Sequence, residues 1–168
     1  MGKLVLFFGL ILTATAGRAQ TAAYFEQGTQ EFGISNVSIG YSSASGLIVG
    51  AGTRYQYFVL DRVSLGGTAF YHKTENHEWM GLGPVASYIL FTYENWFSRL
   101  DQQVTAAKFN GFDENFATFS GTISLSLNYL PQGSNFFVGA GFAHSYPLSD
   151  GDVLRRNTVQ IFAGWFWN

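Results

Sequence analysis

The 168-residue chain is 18% aromatic and only 12% charged, against an ordinary charged share of about 25%, yet its mean hydropathy is just +0.09. That depletion of charge excludes an ordinary soluble surface, and the lack of long apolar runs beyond the N-terminus excludes a bundle of membrane helices. A net charge of −2 gives no basis for nucleic-acid binding, and the absence of cysteine excludes disulfides, thiol chemistry and Cys-based metal sites.

Met1–Ala19 reads as a secretory signal, with Lys3 as its positive n-region, Leu4–Ala16 as its apolar h-region and small residues around Gly17-Arg18-Ala19 for cleavage. Residues 20–30 show no clear period and read as a loose lead-in, so the folded domain is expected over 31–168. Alternation then begins, which implies strands whose two faces meet different surroundings. Val37, Ile39 and Tyr41 oppose Asn36, Ser38 and Gly40. After Ser42–Gly46, Leu47, Val49, Ala51, Tyr55 and Tyr57 oppose Gly50, Gly52, Arg54 and Gln56. The turn at Leu60-Asp61-Arg62 leads to Val63, Leu65, Ala69 and Tyr71 against Ser64, Gly66, Thr68 and His72.

His72–Trp79 is polar and reads as a loop. Met80–Phe91 is a less regular strand, apolar on both parities near its end, and Pro84 predicts a bulge or a strand end. Past Thr92–Asn95, Trp96, Leu100, Val104 and Ala106 face away from Arg99, Asp101, Gln103 and Thr105, and Phe109–Ala117 reads as another loop.

The clearest stretch is Thr118–Tyr129. One parity is Thr118, Ser120, Thr122, Ser124, Ser126 and Asn128; the other is Phe119, Ile123, Leu125, Leu127 and Tyr129, with Gly121 neutral. A face of hydroxyls without charge suits a narrow wet lumen, with lipid on the opposite face. A turn over Leu130–Asn135, an alternating run from Phe136 to Phe142, a loop over Pro147–Arg156 and a final strand with Val159, Ile161, Ala163, Trp165 and Trp167 outward complete the chain.

The pattern therefore predicts an all-β fold: an eight-stranded antiparallel up-and-down transmembrane β-barrel, with short turns at one end and mostly longer polar loops at the other. Tyr57, Phe58, Phe91, Tyr93, Trp96, Tyr129, Phe136, Trp165 and Trp167 gather beside the short turns as an interfacial girdle. The chain from Gln20 to Asn168 resembles the small outer-membrane barrels of the OmpA/OmpX type. That resemblance implies residence in the outer membrane of a Gram-negative envelope after Sec-type export and signal cleavage. It also implies contact with membrane lipids and a C-terminal strand read by the outer-membrane assembly machinery. Gly164-Trp165-Phe166-Trp167 fits that aromatic terminus, although Asn168 follows it.

Arg54, Arg99 and Asp101 share inward parities at similar depth, with Gln56 and Gln103 beside them. Buried charges need partners, so a structural network plugging the lumen is expected, with inward glycines making room for Phe58, Phe70, Phe137 and Phe162. A selectivity ring in a narrow channel is the alternative. His144-Ser145 invites comparison with lipid A deacylases, but adjacent strand residues face opposite sides. The polar run from His72 to Glu78 lacks metal-ligand spacing. The expectation is a monomeric, non-enzymatic barrel without cofactor or metal, whose outside loops carry a structural or surface-contact role. A lipid-modifying barrel enzyme and a secreted lipocalin-like carrier are further alternatives.

Overall fold

A computed structural model of the chain describes residues 23–42, 46–74, 78–110, 116–148 and 156–168. The signal segment lies outside them. Eight strands close into one antiparallel barrel in chain order: β1 (Gln30–Ser42), β2 (Gly46–Leu60), β3 (Val63–Lys73), β4 (Glu78–Tyr93), β5 (Trp96–Asn110), β6 (Phe116–Tyr129), β7 (Phe136–Pro147) and β8 (Arg156–Trp167). Closure between β1 and β8 leaves no sheet edge unpaired, which is the condition a β-structure must meet in lipid.

The two faces are as different as the alternation predicts. On β6 the outward Leu125 is 52% exposed, whereas its neighbour Ser124 is buried. Leu47, Val49, Ile39, Leu82, Phe119, Phe142, Val159 and Ile161 are likewise exposed around the wall. A continuous apolar outer surface of this kind has hydrocarbon as its natural solvent.

Two departures from strict alternation have local causes. On β1 the pairing register shifts between Ser35 and Ser38, so the outward set changes from Phe32 and Ile34 to Val37 and Ile39. A second shift between Ile89 and Phe91 turns both Leu90 and Phe91 outward, which accounts for the apolar run on both parities. The bulge or strand end expected at Pro84 is absent. β4 runs unbroken through Pro84, which faces outward opposite Gly67. The β4–β5 ladder skips Gly83 and Pro84 without a register shift, so the missing N–H removes one pairing slot rather than ending the strand.

The loop end is also shorter than the sequence suggests. β3 extends to Lys73 and β4 starts at Glu78, because His72 and Trp79 pair across the ladder and both turn into the lumen. Likewise β5 reaches Asn110 and β6 begins at Phe116. At the turn end, Asp61-Arg62 and Glu94-Asn95 join their strands tightly, with Arg62 (φ 66°) and Glu94 (φ 50°) in the left-handed region.

Candidate functional site

The lumen is the candidate site, and it is filled in layers. At its centre Arg54 of β2 contacts Glu31 of β1 at 2.7 Å and Asp101 of β5 at 3.2 Å. Arg99 of β5 contacts both carboxylates in turn, Glu31 at 2.9 Å and Asp101 through Nε at 3.0 Å. Two guanidiniums and two carboxylates thus alternate in a closed set, all of them buried. Charge is balanced within the cluster, which is what allows four ionised groups to leave bulk water together. Phe162 lies under both guanidiniums, 5.4 Å from Arg54 and 5.6 Å from Arg99, and Phe137 lies 5.6 Å from Arg99.

Of the residues expected at this centre, Arg54, Arg99 and Asp101 meet directly. Gln56 does not join the ions. It donates to Ser87 Oγ of β4 at 2.6 Å, reaching across β3 where the inward residue is Gly66. Gln103 borders a void of about 10 Å³ shared with Arg54, Asp101, Thr122, Ser124 and Gln160, room for about one water molecule. Glu31 was missed. Counting backward from Val37 sends it outward, because the bulge at Ser35/Ser38 reverses parity. A signal was available: two inward arginines against one aspartate need a further acid.

Below the ions, toward the short turns, lies an aromatic plug. Ala23–Phe25 forms one 3-10 turn, and Phe25, 1% exposed, enters the barrel mouth. Its ring stands 4.8 Å from Phe97, 5.4 Å edge-on to Phe166 and 6.1 Å from Phe58. Ile89, Leu130, Phe137 and Phe162 complete this cluster. The backbone anchors it: Arg62 N donates to Phe25 O at 2.7 Å and Gly28 N to Phe58 O at 2.9 Å, with Gly28 at φ 103° making the bend. The described part of the lead-in is therefore packed rather than loose. Phe58, expected in the girdle as well as the lumen, belongs to the lumen alone.

Above the ions the wall carries hydroxyls. Thr105 bonds Ser120 at 2.9 Å and Thr122 bonds Ser145 at 2.8 Å, each between adjacent strands. Phe70, Phe137 and Phe162 are all buried, and glycines lie against two of these rings. A Cβ at Gly164 would come within 2.7 Å of the Phe137 ring, and one at Gly81 within 2.6 Å of Phe70. The girdle residues Tyr57, Tyr93, Trp96, Trp165 and Trp167 are exposed on the outside, and Tyr129 and Phe136 are half-buried. Trp96 packs on Tyr129 and Phe136 on Trp165, each at 5.0 Å. Asn168 accepts a bond from Thr29 Oγ1 at 2.8 Å, so the extra polar residue ties the C-terminus to the segment before β1.

On β7, His144 faces outward and bonds Asn157 at 2.8 Å, while Ser145 faces the lumen. The two cannot act on one substrate atom. The 72–78 segment lies partly outside the described residues; Lys73 and Glu78 within it form an exposed ion pair at 2.8 Å.

No protein-family model matches the sequence, and no curated protein matches it. Its structure is similar to the N-terminal β-barrel domain of Pseudomonas aeruginosa OprF, at 14% identity and TM-score 0.67, over 84% of this chain and 98% of that one. The chain has the fold of the small eight-stranded outer-membrane β-barrels. Neisserial surface protein A (13% identity, TM-score 0.60) is matched over 82% of this chain and 94% of its own. Ail, the attachment invasion locus protein of Yersinia pestis (17%, TM-score 0.51), is matched over 84% and 99%.

Proposed function

We propose that the protein is a resident of the bacterial outer membrane whose sealed barrel serves as a structural and surface-contact element, with its outside loops as the contact surface. The observation that carries this reading is the double closure of the lumen. A neutral set of Glu31, Arg54, Arg99 and Asp101 lies across the centre, and Phe25 stops the mouth at the turn end. An eight-stranded barrel has an interior just wide enough to be filled by its own side chains. Membrane lipids surround the apolar wall, and the aromatic β8, which ends at Trp167 with Asn168 after it, is the segment offered to the assembly machinery. The opposed directions of His144 and Ser145 favour a non-catalytic role over lipid modification.

Planar-bilayer recording tests this. Purified, refolded protein should insert without steady conductance; large stable channels from the wild-type chain would reject the sealed barrel in favour of a pore.

A further inference from the structure

Away from the strand ends, the outer wall of a lipid-facing barrel should carry no charge and no amide. Among the described residues Gln102 breaks this rule. It is the seventh of the fifteen residues of β5, and its in-strand neighbours Asp101 and Gln103 face the lumen, so Gln102 faces out. Across the ladders it stands between the outward Ala86 of β4 and Ile123 of β6. No hydrogen bond to another described residue satisfies its amide. In hydrocarbon there is no water to do so, and an unpaired amide there is strongly unfavourable.

A second feature adjoins it. On the β4 side of β5 the outward residue beside Gln102 is only Ala86, and beyond it the wall stays low at Pro84, Gly67 and Ala69, an open depression that continues round to Phe32 of β1. A Cβ on Gly67 would meet nothing closer than 3.9 Å, so the space is real on the outer side. On the other side of β5 the wall is raised by Ile123 and Leu125 of β6, both exposed.

We propose that this face is the contact surface for a second copy of the chain, related by a twofold axis along the membrane normal beside β5; the inference rests on the membrane reading above. A primary amide is self-complementary: each Gln102 donates through its NH₂ and accepts through its carbonyl, so two copies form two reciprocal bonds. The same rotation sets the low β4 wall of one copy, at Ala86 and Pro84, against the Ile123–Leu125 ridge of the other, twice. Small residues permit the close approach that drives association where lipid removes the hydrophobic incentive. A filled lumen needs no partner, which is why a monomer is the expectation from the interior alone. The demand arises on the outside.

The chain contains no cysteine, so single replacements report cleanly. In outer membranes, Val104→Cys on β5 should cross-link into dimers with a short bis-maleimide, whereas Ile39→Cys on the opposite wall should not. Adding Gln102→Leu to Val104→Cys should weaken dimerisation about tenfold, and Ala86→Leu, which fills the low wall beside Gln102, should do the same. Equal cross-linking at positions 104 and 39 would overturn the proposal, as would dimers indifferent to both second-site changes. A monomer that carries a tightly held lipid, detected by native mass spectrometry, would overturn it too and assign the depression to an acyl chain. A heat-shift gel on every variant separates these outcomes from failure of the membrane reading, which would appear as loss of the folded band or recovery in the soluble fraction.

Discussion

Glu31 is the residue on which the lumen's charge balance turns, and Glu31→Gln tests it. Its two carboxylate oxygens face Arg54 at 2.7 Å and Arg99 at 2.9 and 3.1 Å, with no solvent exposure. The substitution keeps the shape but leaves two buried guanidiniums against Asp101 alone, and it turns an amide NH₂ toward one of them. Breaking one partner of a buried ionic set costs about 3–5 kcal/mol. Arg54→Met alone is expected to cost a similar amount by leaving two carboxylates on Arg99. The double variant restores balance, because Arg99 Nε still meets Asp101 at 3.0 Å. It should therefore be more stable than the sum of the singles by about 1.5 kcal/mol or more. Reversible urea unfolding in lipid vesicles, followed by tryptophan fluorescence, gives all four free energies. Additive losses would mean that the four groups are screened by lumen water, and the closed ionic set would not be what holds the centre.

Phe25→Ala removes the plug's central ring and should lower unfolding free energy by about 3–5 kcal/mol while leaving the strand content seen by circular dichroism unchanged. Gly50→Ala should destabilise the loop end, since its added Cβ would run into the His72 ring, and His72→Ala should partly restore the loss because the three nearest atoms all belong to that side chain. A double variant no better than Gly50→Ala alone in the same unfolding assay would place the strain elsewhere.

The strands were legible because lipid enforces a two-residue period on the outside wherever the backbone stays regular. Where it does not, reading failed in definable ways. The β1 bulge hid Glu31 by exchanging the faces on its two sides, and the β4 shift made Leu90 and Phe91 look like a breakdown of pattern. Phe25 left no periodic trace, since a single 3-10 turn has no second residue to repeat it. Arg54, Arg99 and Asp101 could be placed together because their parities agreed within regular stretches of β2 and β5. Gln102, a polar residue on the apolar parity of β5, was passed over in the sequence, and only the closed barrel shows that no described neighbour reaches it.

Depth is the variable that separates a membrane barrel from a soluble one, and Ile161 and Leu47 isolate it. Both are outward aliphatic side chains of similar exposure, 55% and 61%. Ile161 is the sixth of twelve residues in β8 and so lies near the middle of the wall, whereas Leu47 is the second residue of β2, at the loop end. Neither flanks the face around Gln102. In water, arginine at either site would change stability by no more than about 0.5 kcal/mol, as at most exposed positions. In a bilayer, Ile161→Arg should cost about 2–4 kcal/mol and Leu47→Arg about 0–1, because the guanidinium at the rim reaches the headgroups and the one at the centre does not. Unfolding in vesicles of fixed lipid composition measures both. Two small and equal costs would mean that the apolar wall has no hydrocarbon around it, and the outer-membrane assignment would fall with it.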